Sequence, residues 1–260
     1  MTKNMIQQFI DERDQRIESY EGSDLKNIAN KFIEASTIPQ YSYNFDWLGR
    51  PIIQYPQDMA AMQEIIWAVK PDLIIETGIA HGGSLIFSAS MLALLEYCDA
   101  MEKGEVLDPG KPKRRVLGID IDIRAHNRVA IKEHPMSGRI DMIEGSSIAP
   151  EIIDQVHSIA KDYQRILVCL DSMHTHDHVL AELDAYAPLT SKGSYCVVFD
   201  TIIEDMPEGF FPDRPWGKRN NPKTAAWEFL KDNDRFIIDK EIENKLLITV
   251  APDGYLKRVR

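Results

Sequence analysis

Cysteine is scarce in this chain, with three residues among 260. Cys98, Cys169 and Cys196 are widely spaced, and the sequence contains no CxxC pair that would suggest a zinc or redox site. Cys169 and Cys196 lie in apolar runs typical of buried strands, where a free thiol behaves as a small hydrophobic side chain. This cysteine usage favours a reducing, cytoplasmic location.

Long apolar runs and an excess of positive charge are also missing. Nothing approaches the roughly 18 uninterrupted apolar residues of a membrane span, and residues 1–20 are polar and charged, unlike a signal peptide. The formal net charge is −11 at pH 7. A nucleic-acid-binding protein needs a basic face to displace counterions from phosphate. We therefore expect neither a membrane span nor a nucleic-acid partner.

Apolar residues make up 44% of the sequence, enough for a substantial core. Residues 1–36 show helical spacing, and a loop rich in aromatic residues follows, so residues 1–50 are predicted to form an N-terminal extension to a main domain at 51–260. Five apolar runs then alternate with helical segments; they are 73–75, 115–119, 140–143, 166–170 and 195–199. The segments 236–242 and 245–250 predict a terminal antiparallel hairpin. The pattern predicts an α/β, Rossmann-like fold, with a mostly parallel sheet covered by helices on both faces.

A polar residue follows each of the five predicted parallel strands, or lies just beyond its end. These residues are Glu76, Asp120, Ser147, Asp171 and Asp200. Because ligands of such sheets bind beyond the carboxyl ends of the strands, the five side chains are predicted to share one rim of the sheet.

The turn after the first strand reads Glu76-Thr77-Gly78-Ile79-Ala80-His81-Gly82-Gly83-Ser84. Its small residues allow a ligand to approach the backbone closely. It lacks the GxGxxG pattern of dinucleotide sites, and the acidic Glu76 suits a cationic ligand better than a pyrophosphate. The alternative is a tight strand-to-helix turn without a ligand.

This turn resembles the signature of class I S-adenosylmethionine-dependent methyltransferases. The resemblance implies that the turn passes the methionine moiety of S-adenosylmethionine, and that Asp120 holds the ribose hydroxyls, with Asp122 as a rival. The implied cofactor-binding residues are Glu76, Thr77, Gly78, Ala80, His81, Gly82, Ser84, Asp120, Ser146, Ser147 and Asp171. Ser146 and Ser147 end the third strand, where this fold meets the adenine; simple loop capping is the alternative for both serines.

Asp171 and Asp200 end neighbouring strands, where two carboxylates can share one hard divalent cation such as Mg²⁺. A bound cation lowers the pKa of a hydroxyl and orients it, and His174 is placed to accept the proton as a general base. Aspartates that merely cap the following helices are one alternative. Another is a zinc hydrolase, because the segment from His174 to His178 resembles the HxHxDH motif, although its spacing is one residue short.

Three motifs together resemble the cephalosporin hydroxylase/rhamnosyl O-methyltransferase family; they are residues 75–84, 171–175 and 198–201. The segments 221–223 and 252–258 add to the likeness, which runs from about residue 45 to the end. It implies an S-adenosylmethionine-dependent methyltransferase domain, often with magnesium, that acts on hydroxyls of sugars or natural products. It also implies a homo-oligomer, so residues 1–50 are predicted to be a cap or an oligomer interface.

The same resemblance assigns the metal to Asp171 and Asp200 and the base to His174. Some relatives carry an acidic residue where this chain has Phe199, so water, Thr201 or the acceptor is expected to complete the metal shell. Residues 204–221 are predicted to form a lid over the acceptor, with Trp216 or Phe211 stacking on a sugar and Lys218 or Arg219 meeting an anionic group. An ordinary surface loop, and a non-catalytic Rossmann ligand-binding module, remain the alternatives.

Overall fold

The computed structural model describes residues 2–20 and 22–260, so positions 1 and 21 of the predicted N-terminal helical region lie outside the described residues. The helices α1 (Thr2–Glu18) and α2 (Leu25–Thr37) confirm the helical prediction for the rest of that region. A 3₁₀ turn at Tyr41–Asn44 leads into the antiparallel hairpin of β1 (Phe45–Trp47) and β2 (Arg50–Ile52). The hairpin spans residue 50, and the division into two regions there stays a prediction.

The main sheet has seven strands within the described chain. They are β3 (Leu73–Thr77), β4 (Arg115–Asp120), β5 (Ile140–Glu144), β6 (Ile166–Leu170), β7 (Tyr195–Val198), β8 (Phe236–Ile238) and β9 (Tyr255–Arg258), in the spatial order β5-β4-β3-β6-β7-β9-β8. The first five are mutually parallel, and β9 is antiparallel to both β7 and β8. The predicted fold class, a mostly parallel sheet with a C-terminal antiparallel hairpin, is confirmed.

Helices cover both faces of this sheet. They are α3 (Pro56–Val69), α4 (Gly83–Lys103), α5 (Ala125–Lys132), α6 (Pro150–Ala160), α7 (His176–Tyr186), α8 (Pro222–Lys231) and α9 (Lys240–Leu246). Ile65 and Leu92 pack with Ile74 in one buried apolar cluster, whereas Val156 and Leu183 pack in a second cluster. The alternation along β3, where Ile74 and Ile75 point to opposite clusters, places the strand at the centre of the core.

The helix α4 has the length and composition of a membrane span, which the sequence was not expected to contain. More than half of its apolar window is buried within the domain, and Leu85, Ile86 and Leu92 belong to the cluster against β3. Its apolar character is accounted for by this packing, because the core helix of a sheet-containing domain has the same composition as a short span.

The predicted position of the second hairpin strand, residues 245–250, is wrong. Residues 240–246 form α9, whose first turn is capped by Asp239 accepting a hydrogen bond from the Glu241 amide. The cap and the charged sequence of this segment favour a helix over a strand. The strand that completes the hairpin is β9, which starts after Gly254.

The strand order reverses between β3 and β6. From β3 the chain proceeds outward through β4 and β5, and then returns to β6 and β7 on the other side of β3. Such a switch point opens a crevice at the carboxyl ends of the two central strands. The residues that follow β3 and β6, Gly78 and Asp171, therefore lie at the place where ligands of this architecture bind.

The buried carboxyl group of Asp58 ties α3 to the segment before β9. It accepts hydrogen bonds from the Thr249 hydroxyl, the Val250 amide (3.0 Å) and the Tyr255 hydroxyl (2.9 Å). Burial outweighs these bonds and raises the pKa of Asp58 to about 6. Because ionisation is less favourable in the folded state, the stability associated with protonated Asp58 is fully present below about pH 4 and is lost as the pH rises through about 6.

We expect Asp58→Asn to remove this pH dependence, since the amide stays uncharged. The free energy of unfolding of the wild type, minus that of Asp58→Asn, should fall by about 2 kcal/mol between about pH 4 and pH 7, because most of the effect of a pKa raised by about two units falls in this range. Chemical denaturation of both proteins across this range measures the difference. A difference that does not change with pH would contradict a buried, titrating Asp58.

Candidate active site

Gly78 lies at the junction between the central strands. Its φ is +87°, and a Cβ at this position would lie 2.1 Å from the carbonyl oxygen of Asp171. The Gly78 amide donates to the Ile119 carbonyl (2.8 Å), and the Asp171 amide donates to the Thr77 carbonyl (3.0 Å). The backbone therefore permits only glycine here without a rearrangement, because the end of β6 occupies the space; the close ligand approach predicted for this turn stays a prediction.

Glu76 and Ser84, both predicted to belong to the cofactor turn, are in contact. The Ser84 hydroxyl donates to Oε1 of Glu76, whose side chain is buried next to the start of α4. Burial raises the pKa of Glu76 to about 7. A cationic ligand group beside this carboxyl would favour its ionised form. The pair is thus suited to a positively charged ligand, as the sequence indicated.

Asp120 reaches the glycine turn from the end of β4. Its Oδ2 accepts hydrogen bonds from the amides of Ile79 (2.8 Å) and Ala80 (3.3 Å), and its Oδ1 accepts one from the Asp122 amide (3.1 Å). The carboxylate therefore orders the turn, and its further lone pairs remain able to accept hydroxyl donors. The side chain of Asp122 is exposed. The ribose role of Asp120 stays a prediction.

A clamp that the sequence did not reveal holds the outer side of this turn. The Arg50 guanidinium donates to the His81 carbonyl (3.1 Å from Nε) and to Oδ1 of Asn127 (3.1 Å). The buried Asn127 in turn donates to the Ala80 carbonyl (2.8 Å). The three parts of this clamp are far apart in the sequence and meet only in the folded chain, so no local motif signals it.

Ser147 belongs to a polar network beneath the strand ends. Its hydroxyl lies 3.1 Å from Nε2 of His178, and the Ser172 hydroxyl lies at the same distance from that nitrogen and donates to Oε1 of Glu182 (2.7 Å). Ser146 is half-buried beside it. The predicted adenine contact of the two serines is compatible with this position and stays a prediction.

Asp171, His174 and Asp200 converge at the rim. One ligand atom from each lies within 4.8 Å of the others, and His174 Nε2 is 3.1 Å from Oδ2 of Asp200. Asp200 adopts a left-handed conformation with φ +55°, at the turn where β7 ends. Two carboxylates and one imidazole at this separation fit the ligand set of a divalent cation. The predicted convergence of Asp171 and Asp200 is therefore observed, and His174 joins the same group.

The electrostatics of this group also favour a cation. Burial, then the neighbouring charges of Asp200 and Glu76, raise the pKa of Asp171 well above its usual range. A divalent cation among the three side chains would offset this repulsion between carboxylates. Phe199, which replaces the acidic residue of some relatives, is buried in the core.

The Thr201 side chain makes its hydrogen bond outside this group. Its fully buried hydroxyl donates to the Pro252 carbonyl (2.6 Å). A metal role for Thr201 therefore stays a prediction without a contact that supports it.

The three histidines of the predicted zinc motif diverge. His174 faces Asp200, whereas Nδ1 of His176 lies 2.8 Å from the Thr224 hydroxyl and His178 contacts Ser147 and Ser172. Within the described part of the chain, the three histidines do not surround a common point. The group that could hold a metal ion there is Asp171, His174 and Asp200. The arrangement does not support the zinc-hydrolase alternative.

A cleft of about 810 Å³ opens onto this group. Asp171, His174 and Asp200 line one part of it, and the predicted lid lines another through Phe210, Phe211, Pro212, Asp213, Arg214 and Trp216. The Trp216 ring meets the His174 ring edge-on at 4.8 Å between centroids, so the lid contacts the rim directly. The expectation for Lys218 and Arg219 differs from the structure, because Lys218 is exposed outside the lining and Arg219 pairs with Glu208. Arg214 is a cationic side chain that does line the cleft.

Comparison with known proteins agrees with this geometry. A family model described as Rhamnosyl O-methyltransferase/CmcI matches residues 39–259. The rhamnosyl O-methyltransferase of Mycobacterium bovis (strain BCG) is 33% identical over 204 residues, which cover 77% of this chain and 73% of that protein. The rhamnosyl O-methyltransferase of Mycobacterium leprae (strain TN) is 30% identical over 213 residues, which cover 82% of each.

Two solved structures of CmcI share the fold. A Mg-SAM structure has a TM-score of 0.55 at 18% identity and covers 84% of this chain and 78% of that chain. An apo-structure has a TM-score of 0.52 at 18% identity, with 84% and 77% covered.

The fold and the strand-end site define an S-adenosylmethionine-dependent O-methyltransferase. The chain belongs to the Rhamnosyl O-methyltransferase/CmcI family. This membership confirms the family resemblance and the enzyme class that the sequence predicted, and it excludes the non-catalytic ligand-binding module.

We expect the Arg50 clamp to contribute to cofactor binding. Arg50→Ala removes the donors that hold the His81 carbonyl, so the turn should loosen and the Kd for S-adenosylmethionine should rise about tenfold, the equivalent of one hydrogen bond. Arg50→Lys keeps the positive charge but lacks the planar guanidinium group, so it should recover part of the affinity for S-adenosylmethionine. Calorimetric titration measures each Kd.

Arg115→Ala is the matched control. Arg115 starts β4, at the opposite end of the strand from Asp120, and pairs with Asp141 on the surface. The Arg115→Ala substitution should leave the Kd for S-adenosylmethionine unchanged. Equal affinities for wild type and Arg50→Ala would show that the clamp plays no part in cofactor binding.

Proposed function

We propose that this enzyme transfers a methyl group from S-adenosylmethionine to a hydroxyl of a sugar, with a rhamnosyl group as the first candidate acceptor and magnesium as the first candidate cation. The observation that carries the proposal is the convergence of Asp171, His174 and Asp200 at the mouth of the cleft, beside the glycine turn. The curated relatives named rhamnosyl O-methyltransferases support the acceptor class. The CmcI structure with Mg and SAM supports the cation through the shared fold.

The residues present fit a divalent cation. Asp171 and Asp200 would provide its carboxylate oxygens, and the imidazole of His174 lies within reach as a third ligand. When bound, the cation lowers the pKa of a hydroxyl and orients it for attack. Asp171 also adjoins Gly78, so the junction that would hold the cation is the one that shapes the cofactor turn.

His174 has two possible roles in this arrangement. Its Nε2 faces Asp200, which orients the ring, and its ring edge meets Trp216 at the lid. From this position it would take the proton of the acceptor hydroxyl as a general base, as the sequence predicted, or would bind the cation. The transfer itself is a displacement at the methyl carbon, in which positioning supplies much of the acceleration.

The acceptor class is tested directly by a screen of rhamnosides, nucleotide-linked sugars and other glycosylated metabolites, scored by a mass gain of one methylene. Methylation of a sugar hydroxyl is the expected result. Activity confined to acceptors without a sugar would overturn the acceptor class and leave the enzyme class unchanged.

We also propose that the enzyme is a cytoplasmic homo-oligomer. Exposed apolar side chains on α1 and α2, among them Ile6, Phe9 and Ile28, support an interface formed by the N-terminal region. A purely monomeric mass by light scattering would contradict it.

We expect the reaction to require the cation. Chelation with EDTA should reduce turnover strongly, and Asp200→Asn should reduce it about a hundredfold at limiting Mg²⁺ because the amide binds a cation more weakly than a carboxylate. Excess Mg²⁺ should recover part of the loss. Asp177→Asn is the control, since Asp177 is exposed on α7 and outside the group. Turnover that is indifferent to EDTA would remove the metal role.

We expect His174→Ala to lower kcat by about a hundredfold or more while S-adenosylmethionine binding persists. Two further measurements distinguish the roles of His174. Recovery of rate by added imidazole at saturating Mg²⁺ indicates a base, whereas weakened Mn²⁺ binding in electron paramagnetic resonance indicates a ligand. An unchanged kcat would exclude both roles.

A further inference from the structure

Gln54 is a buried side chain of the cleft whose amide oxygen has no hydrogen-bond partner in the described part of the chain. It lies in the bend between β2 and α3, its exposed fraction is 8%, and it lines the same cleft as Asp171, His174 and Asp200. Its Oε1 is enclosed and has no hydrogen-bond partner among the described residues. A buried amide without a partner is costly, because the water it loses is not replaced.

The backbone around Gln54 holds the side chain in this position. Ile52 is buried in the core cluster against the sheet. Tyr55 is also buried, and its hydroxyl lies 2.7 Å from the Ser36 hydroxyl on α2. With its neighbours fixed on both sides, Gln54 does not gain a partner by moving into solvent.

We propose that Gln54 recognises the acceptor by hydrogen bonding to a sugar hydroxyl other than the one that is methylated. This inference rests on the proposed function. A sugar hydroxyl accepts from the amide nitrogen or donates to the amide oxygen, so it pairs with whichever of the two atoms faces the cleft. The reacting hydroxyl has to reach the group of Asp171, His174 and Asp200, which leaves another hydroxyl of the ring for Gln54.

The chain offers a matched control three residues away. Gln57, in the first turn of α3, also has an enclosed Oε1 without a partner among the described residues, but it does not line the cleft. Gln54→Leu and Gln57→Leu each remove an amide with an enclosed Oε1, the first from a buried side chain in the cleft and the second from a half-buried side chain outside it. A purely structural effect of losing a buried amide would appear in both variants, whereas an effect on the acceptor is expected only from Gln54.

The experiment measures thermal unfolding without ligand and steady-state kinetics with p-nitrophenyl α-L-rhamnoside and its monodeoxy analogues. Gln54→Leu should keep or raise the Tm, because an unpaired amide is replaced by an apolar side chain. Its KM for the rhamnoside should rise about ten- to hundredfold, with kcat largely kept, since the bond is made equally in ground and transition states. One deoxy analogue should show the same KM with wild type and Gln54→Leu, and that analogue identifies the hydroxyl.

Three results would overturn the proposal. A Tm that falls by several degrees in Gln54→Leu would assign Gln54 a structural role. A KM that matches the wild type, or that rises equally in Gln57→Leu, would remove its role in recognition. A wild type that methylates no sugar would sink the proposed acceptor class and this inference with it; that failure is recognisable because the wild type itself is inactive.

Discussion

The close packing of β3 against β6 is the constraint on which the rest of the site depends. The carbonyl of Asp171 occupies the space that a side chain at position 78 would need, and the Asp171 amide is bonded to Thr77. The residue that presses against the cofactor turn therefore also carries a carboxylate of the candidate metal group. A shift of either strand end would move both parts of the site together, which is how a rigid sheet keeps two ligands in register.

The fold raises the pKa of three carboxyl groups in the domain, two of which lie at this junction. Burial raises the pKa of Asp58 to about 6 and that of Glu76 to about 7, and it raises the pKa of Asp171 well above its usual range. Each shift reflects the cost of burying a carboxyl group, to which neighbouring carboxyl groups add for Asp58 and Asp171. A cationic cofactor group beside Glu76 and a cation beside Asp171 would relieve that cost. The site is thus organised for positive ligands at some expense to the stability of the fold.

The rim of the site could be predicted from the sequence, because it follows from local features. Apolar runs define the parallel strands, and the residue after each run must lie at the carboxyl edge, so Glu76, Asp120, Asp171 and Asp200 required no knowledge of distant contacts. The sequence did not indicate a role for Arg50, Asn127 or Gln54. Their roles depend on which hydrogen-bond partners they have or lack, and only the folded chain determines this. The second hairpin strand was predicted in the wrong place for a related reason: α9 and β9 are both short, and the apolar run at 245–250 starts at the end of α9 and stops before β9.

One part of the site consists mainly of backbone and the other of side chains. The glycine turn, where the cofactor is predicted to bind, is mostly backbone at strand ends, braced by Asp120 and Arg50, and so tolerates little change. The proposed acceptor side consists of side chains on connecting segments, such as Gln54, Arg214 and Trp216. Loops on a fixed sheet change without disturbing the core. In the proposed function, selectivity for the acceptor would therefore reside in these segments, and the strand ends would fix the methyl-transfer chemistry.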